Sequence, residues 1–302
     1  MSTQEFPPSA GVRPETCQRA RPHCVAPEAA SSAYHAREPA SPVEAANLGV
    51  DINFTCTQCG ACCRNTKVPL TVAEAMDWLR DGNSVQIICE AWPWALDRSS
   101  VDPKIAFLKS RSFAAASGTM PTRVVATLVA DAQDKCPNLL ADQRCRIYER
   151  RPLVCRIYPA EINPFARMEP RMKACPSEAW GTNHPVFMRD GSVVSAETRR
   201  DIANWRAALT PDAEIKNRVC VALRLGFAAV AHEGFLVYSP PGDVLLHALS
   251  AAVDTGAPAA SSQWRLVTDR AESVEKFSSD GALIQHAAEL RATAFHFIGL
   301  KR

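Results

Sequence analysis

A chain of 302 residues can bury a sizeable core as one large domain or two modest ones. Its twelve cysteines are too many for ordinary packing and too few for a small disulfide scaffold. The net charge of +2 says nothing about partners by itself, whereas its distribution does.

Residues 1–48 hold seven of the 22 prolines, ten alanines and only two aromatics, Phe6 and Tyr34. Such a segment cannot bury enough apolar surface to offset its ordering entropy, so it is expected to be a disordered tail. Cys17 and Cys24 within it read as free thiols, despite the nearby His23. The opening Met1-Ser2-Thr3-Gln4-Glu5-Phe6-Pro7-Pro8 has neither a basic start nor an apolar stretch, so no signal peptide is expected. The longest apolar stretch, Val219 to Ala231, is short and carries Arg224, which excludes a bilayer span and a membrane partner. The expected setting is cytoplasmic, where thiols stay reduced and clustered cysteines point to metal or redox chemistry rather than disulfides.

The run Cys56-Thr57-Gln58-Cys59-Gly60-Ala61-Cys62-Cys63 places four thiols within eight residues. As thiolates they would repel one another strongly unless a cation sat between them, which is the physics of a soft-metal site. On a helix, Cys56, Cys59 and Cys63 fall within about a 60° arc and Cys62 points roughly 100° away from Cys63. A loop is equally open, because Gly60 permits a tight wrap. Four further cysteines follow at Cys136, Cys145, Cys155 and Cys175, and can complete one centre or two.

Next in order, Thr71-Val72-Ala73-Glu74 is a capping box that opens a helix carrying Met76, Trp78 and Leu79 and ending near Gly82. A helix is expected around Lys104 to Ala115, and Val124 to Val129 reads as a strand. Arg144-Cys145-Arg146-Ile147-Tyr148 can pair through the Ala141-Asp142-Gln143 turn, and Pro152 suits the first turn of a short helix holding Cys155 that Pro159 ends. Asp190-Gly191 signals a hairpin. Helices are expected from Glu197 to Leu209, from Pro211 to His232 with Thr210 as N-cap, and from Asp243 to Val253, with a short strand at Gly234 to Tyr238. Cys89 and Cys220, set among apolar neighbours, read as packing thiols.

From Arg144 to Lys173 eight basic residues face three glutamates. Arginines here would offset thiolate charge around a metal. No aromatic-and-basic stripe accompanies them, so no nucleic-acid partner is expected. Cys-x2-Cys-x2-Cys begins like a bacterial ferredoxin run, with Cys-Pro displaced to Cys136-Pro137 and Cys175-Pro176. A zinc ribbon would need a second Cys-x2-Cys, which the chain lacks, although an irregular tetrathiolate zinc site stays open. Iron–sulfur is therefore placed ahead of zinc. Dinucleotide, phosphate-loop, serine-elbow and zinc-protease motifs are all absent.

The spaced elements Cys56-x2-Cys59-x2-Cys62-Cys63, Cys136-Pro137-Asn138-Leu139, Cys145-x-Ile147-Tyr148-Glu149, Arg151-Pro152-x2-Cys155-Arg156-x-Tyr158-Pro159 and Cys175-Pro176 resemble the YkgJ-type cysteine-cluster family, described as zinc- or iron-chelating. The resemblance covers about Phe54 to Pro176. Its best-known members, flagellin lysine N-methylases, use S-adenosylmethionine with an iron–sulfur cluster. It therefore implies a protein substrate, and makes Arg151 and Arg156 the best polar candidates for cofactor binding beside the metal.

Two functions are held together: an iron–sulfur enzyme modifying protein lysines, and a non-enzymatic module whose zinc or iron site is structural or serves metal handling or partner binding. The expected fold is α+β but mainly helical. It comprises the tail at 1–48, an irregular metal-organised cysteine domain with a few short strands at 49–180, and a mainly helical region at 181–302.

Overall fold

The computed structural model describes residues 51–94, 97–131, 134–256, 262–291 and 295–300. The tail at 1–48, with Cys17 and Cys24, lies outside the described residues. In chain order the elements are β1 (Ile52–Asn53), β2 (Val68–Leu70), α1 (Val72–Arg80), β3 (Val85–Pro93), α2 (Pro103–Ser110), β4 (Phe113–Ser117) and β5 (Met120–Ala130). Then come α3 (Leu153–Ile157), β6 (Val186–Arg189), β7 (Ser192–Val193), α4 (Ala196–Ala222), β8 (Phe227–Val230) and β9 (Gly234–Tyr238). The last are α5 (Gly242–Thr255), β10 (Arg265–Thr268), α6 (Ala271–Ser279), β11 (Ile284–His286) and β12 (Phe295–Gly299).

The expectation of a mainly helical protein is corrected by a nine-stranded sheet ordered β11-β10-β8-β3-β5-β2, with β4 also on β5 and β9-β12 also on β3. A three-stranded sheet, β1-β6-β7, stands beside it. The pairs β3–β5, β2–β5, β4–β5, β3–β9 and β9–β12 are antiparallel, and β3–β8, β8–β10 and β10–β11 are parallel. The main sheet thus draws strands from both sides of residue 180.

Residues 181–302, expected to be mainly helical, hold seven strands among the described residues. The reason is burial. Phe227–Val230 and Arg265–Thr268 lie in parallel pairs covered on both faces, so they are short apolar runs without alternation.

β3 illustrates how the sheet is held. Ile87, Cys89 and Ala91 join the main core, whereas Ile88 turns to the opposite face with Val129 and Val237, as the two-residue period of a strand requires. On the main-core side lie Ala75, Trp78 and Leu79 of α1, Val219 and Cys220 of α4, and Leu245, Ala248, Leu249 and Ala252 of α5. Leu245 and Leu249 are fully enclosed, and each such side chain stabilises by about 2 kcal/mol. Cys89 and Cys220 are both buried and hydrogen-bonded to each other. A second, smaller core gathers Ile157, Met168, Phe187, Met188 and Trp205 around the small sheet.

Two expected helices are one. α4 runs through Pro211, starts with the Ser195 hydroxyl accepting from the Thr198 N–H (3.2 Å), and stops at Ala222 rather than His232. Arg224 then takes a left-handed conformation (φ 54°) and residues 227–230 become β8. An internal proline removes one helical hydrogen bond, so packing of α4 on α1, α3 and α5 holds the helix through it. The expected helix from Lys104 to Ala115 is likewise shorter, ending at Ser110 before β4. Arg144–Tyr148 forms no strand; only Leu139 and Cys145 make an isolated bridge there.

Candidate metal centre

The capping box is present as the sequence indicates. The Thr71 hydroxyl accepts from the Glu74 N–H, and Glu74 Oε2 accepts from the Thr71 N–H (2.9 Å). The second Glu74 oxygen accepts from the Leu153 N–H at 2.6 Å, tying α1 to the first turn of α3 and hence to Cys155. From the other end of α3, Arg156 pairs with Asp201 of α4 at 3.1 Å. The short helix bearing Cys155 is therefore pinned at both ends by side chains remote in sequence.

The first cysteine run is a loop. It enters through backbone bonds from the Phe54 N–H to Pro185 O (3.1 Å) and from the Thr55 N–H to Ala179 O (3.0 Å), while Phe54 packs on Trp180 and Phe187. Gln58 and Gly60 have positive φ, and Gly60 opens a single 3-10 turn over Ala61–Cys63. A Cβ on Gly60 would stand 2.7 Å from both Gln143 O and Leu139 Cδ1, so the loop at 139–143 presses directly on it. Gly60→Ala is expected to cost about 2 kcal/mol through left-handed strain and overlap, which urea denaturation would measure. Wild-type stability in that variant would show the wrap to be adaptable.

The second region docks onto the end of this loop. The Cys136 N–H donates to Cys63 O at 2.7 Å, and the Asn65 N–H donates to Asp134 O. Residues 136–146 then double back: the Arg146 N–H donates to Asn138 O (2.8 Å) and Arg146 Nη2 to Asn138 Oδ1 (2.9 Å). This turn returns Cys145 towards Cys136, and both pack against the main core.

The eight clustered cysteines fall into two neighbouring sets. Cys63 is hydrogen-bonded to Cys136, and Cys155 lies close to Cys63, Cys136 and Cys145. Cys175 lies close to Cys56 and Cys59. Tyr158, whose hydroxyl bonds Cys175, also stands near Cys62. The sets meet at the adjacent pair Cys62 and Cys63, whose thiols are hydrogen-bonded to each other. Cys56, Cys59 and Cys62 are exposed, whereas Cys63, Cys136, Cys145, Cys155 and Cys175 are half-buried.

Burial and mutual crowding oppose several thiolates at once. The Cys136 hydrogen bond favours a Cys63 thiolate, but the bond to Cys62, burial and the nearby Cys145 outweigh it and push the Cys63 thiol up to about 12. For Cys136, the bond with Cys63 and then burial raise the thiol, against the opposing Asn138 N–H and Arg146. Burial, followed by the neighbouring Cys63 and Cys136, raises Cys155, and Arg151 offsets part of this. Burial also raises Cys175, opposed by the Tyr158 hydroxyl and Lys173. Crowding that resists several thiolates at once is what a soft cation relieves, so the donor chemistry fits zinc or iron. No three His, Cys, Asp or Glu side chains among the described residues stand at ion-holding spacing, so the sets are neighbours rather than closed coordination shells.

Basic side chains enter this region singly. Arg146 lies near Cys136, Arg151 near Cys155 and Lys173 near Cys175. Arg151 also stacks 3.6 Å from the centroid of the Tyr148 ring and donates from Nε to Tyr148 O (2.8 Å). Of the two arginines singled out by sequence, Arg151 thus borders the thiols and Arg156 is engaged by Asp201. Other members of the basic run pair locally, Arg150 with Asp81, Arg171 with Glu169 and Lys173 with Glu161.

Sequence reasoning includes two tyrosines, Tyr148 and Tyr158, in the spaced motif without giving them a role. The Tyr148 hydroxyl bonds Cys56. The Tyr158 hydroxyl accepts from the Ala174 N–H (2.8 Å) and donates to Cys175. Their signal was position: each sits three residues beyond a cysteine of the second region.

No helix among the described residues is long and apolar enough to cross a membrane. No curated protein and no solved structure matches the chain. Residues 55–176 match the family model CxxCxxCC, whose description is "Putative zinc- or iron-chelating domain". That span takes in every clustered cysteine from Cys56 to Cys175 and both regions that dock here, so this segment of the chain is similar to the domain that the family model describes.

Proposed function

We propose that the protein binds zinc or iron at two adjacent four-cysteine centres. The inner one uses Cys63, Cys136, Cys145 and Cys155; the outer one uses Cys56, Cys59, Cys62 and Cys175. The observation that carries this reading is the interlacing of the two regions, in which Cys63 stands with Cys136, Cys145 and Cys155 while Cys56 and Cys59 stand with Cys175. Four sulfurs are what a structural zinc or a four-iron cluster takes.

For the outer set, iron–sulfur ranks ahead of zinc, because Cys56-x2-Cys59-x2-Cys62 followed by a remote Cys175-Pro176 has the order of a ferredoxin run. A reducing cytoplasmic setting, which leaves the thiols free for metal, is part of the proposal. Its enzymatic extension is modification of lysines on a protein substrate, with S-adenosylmethionine as methyl donor and Arg151 as the charged side chain bordering the thiols. The alternative is a purely structural or metal-handling domain.

Within this reading Tyr158 positions Cys175. Tyr158→Phe is expected to weaken outer-centre metal about tenfold while leaving the inner equivalent in place, read by metal titration. The proposal is tested by anaerobic purification with metal and acid-labile sulfide analysis. Two four-cysteine centres should give two zinc equivalents, or iron with sulfide and a broad absorption band near about 400 nm. A protein that takes up neither metal under reducing conditions would overturn it.

A further inference from the structure

We propose that the two centres divide the work: the outer centre exchanges its metal with thiol-bearing acceptors, and the inner one is retained as part of the fold. This rests on the two-centre reading above. Three of the outer sulfurs, those of Cys56, Cys59 and Cys62, are exposed, whereas all four inner cysteines are half-buried. An incoming ligand can therefore reach the outer sulfurs from solvent without opening the core.

The mounting of the two sets differs in the same direction. Cys136 and Cys145 pack against the main hydrophobic core, and Cys155 sits on a helix pinned by Glu74 and Asp201. Cys56 and Cys59 lie in a stretch without regular secondary structure, held by backbone bonds at Phe54 and Thr55. A divalent ion with four thiolates carries a formal −2; Arg146 and Arg151 stand by the inner set, and Lys173 stands by Cys175 of the outer one.

Exchange here is ligand substitution. Each metal–sulfur bond that breaks at Cys56, Cys59, Cys62 or Cys175 is replaced by a bond to an acceptor thiolate. The metal keeps its oxidation state, and the freed cysteines take up the protons that the acceptor thiols lose. Tyr148 and Tyr158, bonded to Cys56 and Cys175, hold two outer sulfurs in place at the protein side while the exposed side stays open.

The test uses the full chain loaded anaerobically with zinc, then mixed with excess dithiol chelator while release is followed in time. Two equivalents should leave in two phases, the faster by at least about tenfold. Cys175→Ser and, independently, Cys59→Ser should each abolish the fast phase, keep the slow equivalent and leave the thermal midpoint within a few degrees of wild type. Release of both equivalents in one phase, or loss of the slow equivalent in either variant, would overturn the division while leaving two centres standing. A single zinc equivalent in the wild type would defeat the two-centre reading itself, and the division with it.

Discussion

Cys155→Ser is expected to remove the inner metal equivalent and to lower the stability of the whole sheet-bearing core, not merely of its own short helix. A metal bridging Cys63 and Cys136 closes a loop of more than seventy residues, and that loop contains α1, β3, α2, β4 and β5. Cross-linking a loop of this length stabilises by about 4 kcal/mol on chain-entropy grounds, and metal-binding energy of this kind is folding energy. For a chain of this size the change corresponds to a fall of roughly 10 °C in the thermal midpoint. Calorimetry with parallel metal analysis measures both. A Cys155→Ser protein with full metal content and an unchanged midpoint would refute the inner centre.

Glu74→Ala should damage both the fold and the candidate site. One carboxylate caps α1 through Thr71 and accepts from the Leu153 N–H at 2.6 Å, so its loss strands a helix cap and frees the start of α3 together. Charge-assisted bonds to backbone N–H groups are individually worth about 1.5–3 kcal/mol, which sets the expected loss at about 3 kcal/mol. Because α3 carries Cys155, the slow metal equivalent should also be released about tenfold faster. Chemical denaturation and chelator kinetics read the two effects separately. Loss of stability with unchanged slow release would mean that Glu74 supports α1 alone and does not steady the metal ligands.

What was legible in the sequence was local. The Thr71–Glu74 capping box, the Asp190-Gly191 hairpin and the short helix at Cys155 each involve residues within a few positions of one another, where backbone chemistry decides. The sheet was not legible, because β8, β10 and β11 are three or four residues long, apolar or mixed, and gain their order only from parallel neighbours. β8 lies in a stretch that reads as the end of a helix until Arg224 breaks it.

At the candidate site the eight cysteines were evident, whereas their sorting into two sets was not. That sorting depends on the doubling back of residues 136–146 and on α3 being pinned by Glu74 and Asp201, contacts that span dozens of residues. Even the helical arc that would group Cys56, Cys59 and Cys63 gives way, since the left-handed turn at Gln58 and Gly60 parts Cys63 from the other two.

The interlacing of the two regions has a consequence for the order of events during synthesis. Cys56 to Cys63 leave the ribosome first, and their companions at Cys136 to Cys175 follow only after α1 and most of the sheet's central strands have been made. At ordinary elongation rates that interval is on the order of ten seconds. For that time a nascent chain displays four bare thiols, three of which stay at the surface even in the finished fold. Metal delivered early would meet half a ligand set and could be held only loosely or by the wrong sulfurs. Correct loading therefore waits until Cys175 has emerged, and a cell that makes this protein must keep those thiols reduced until then.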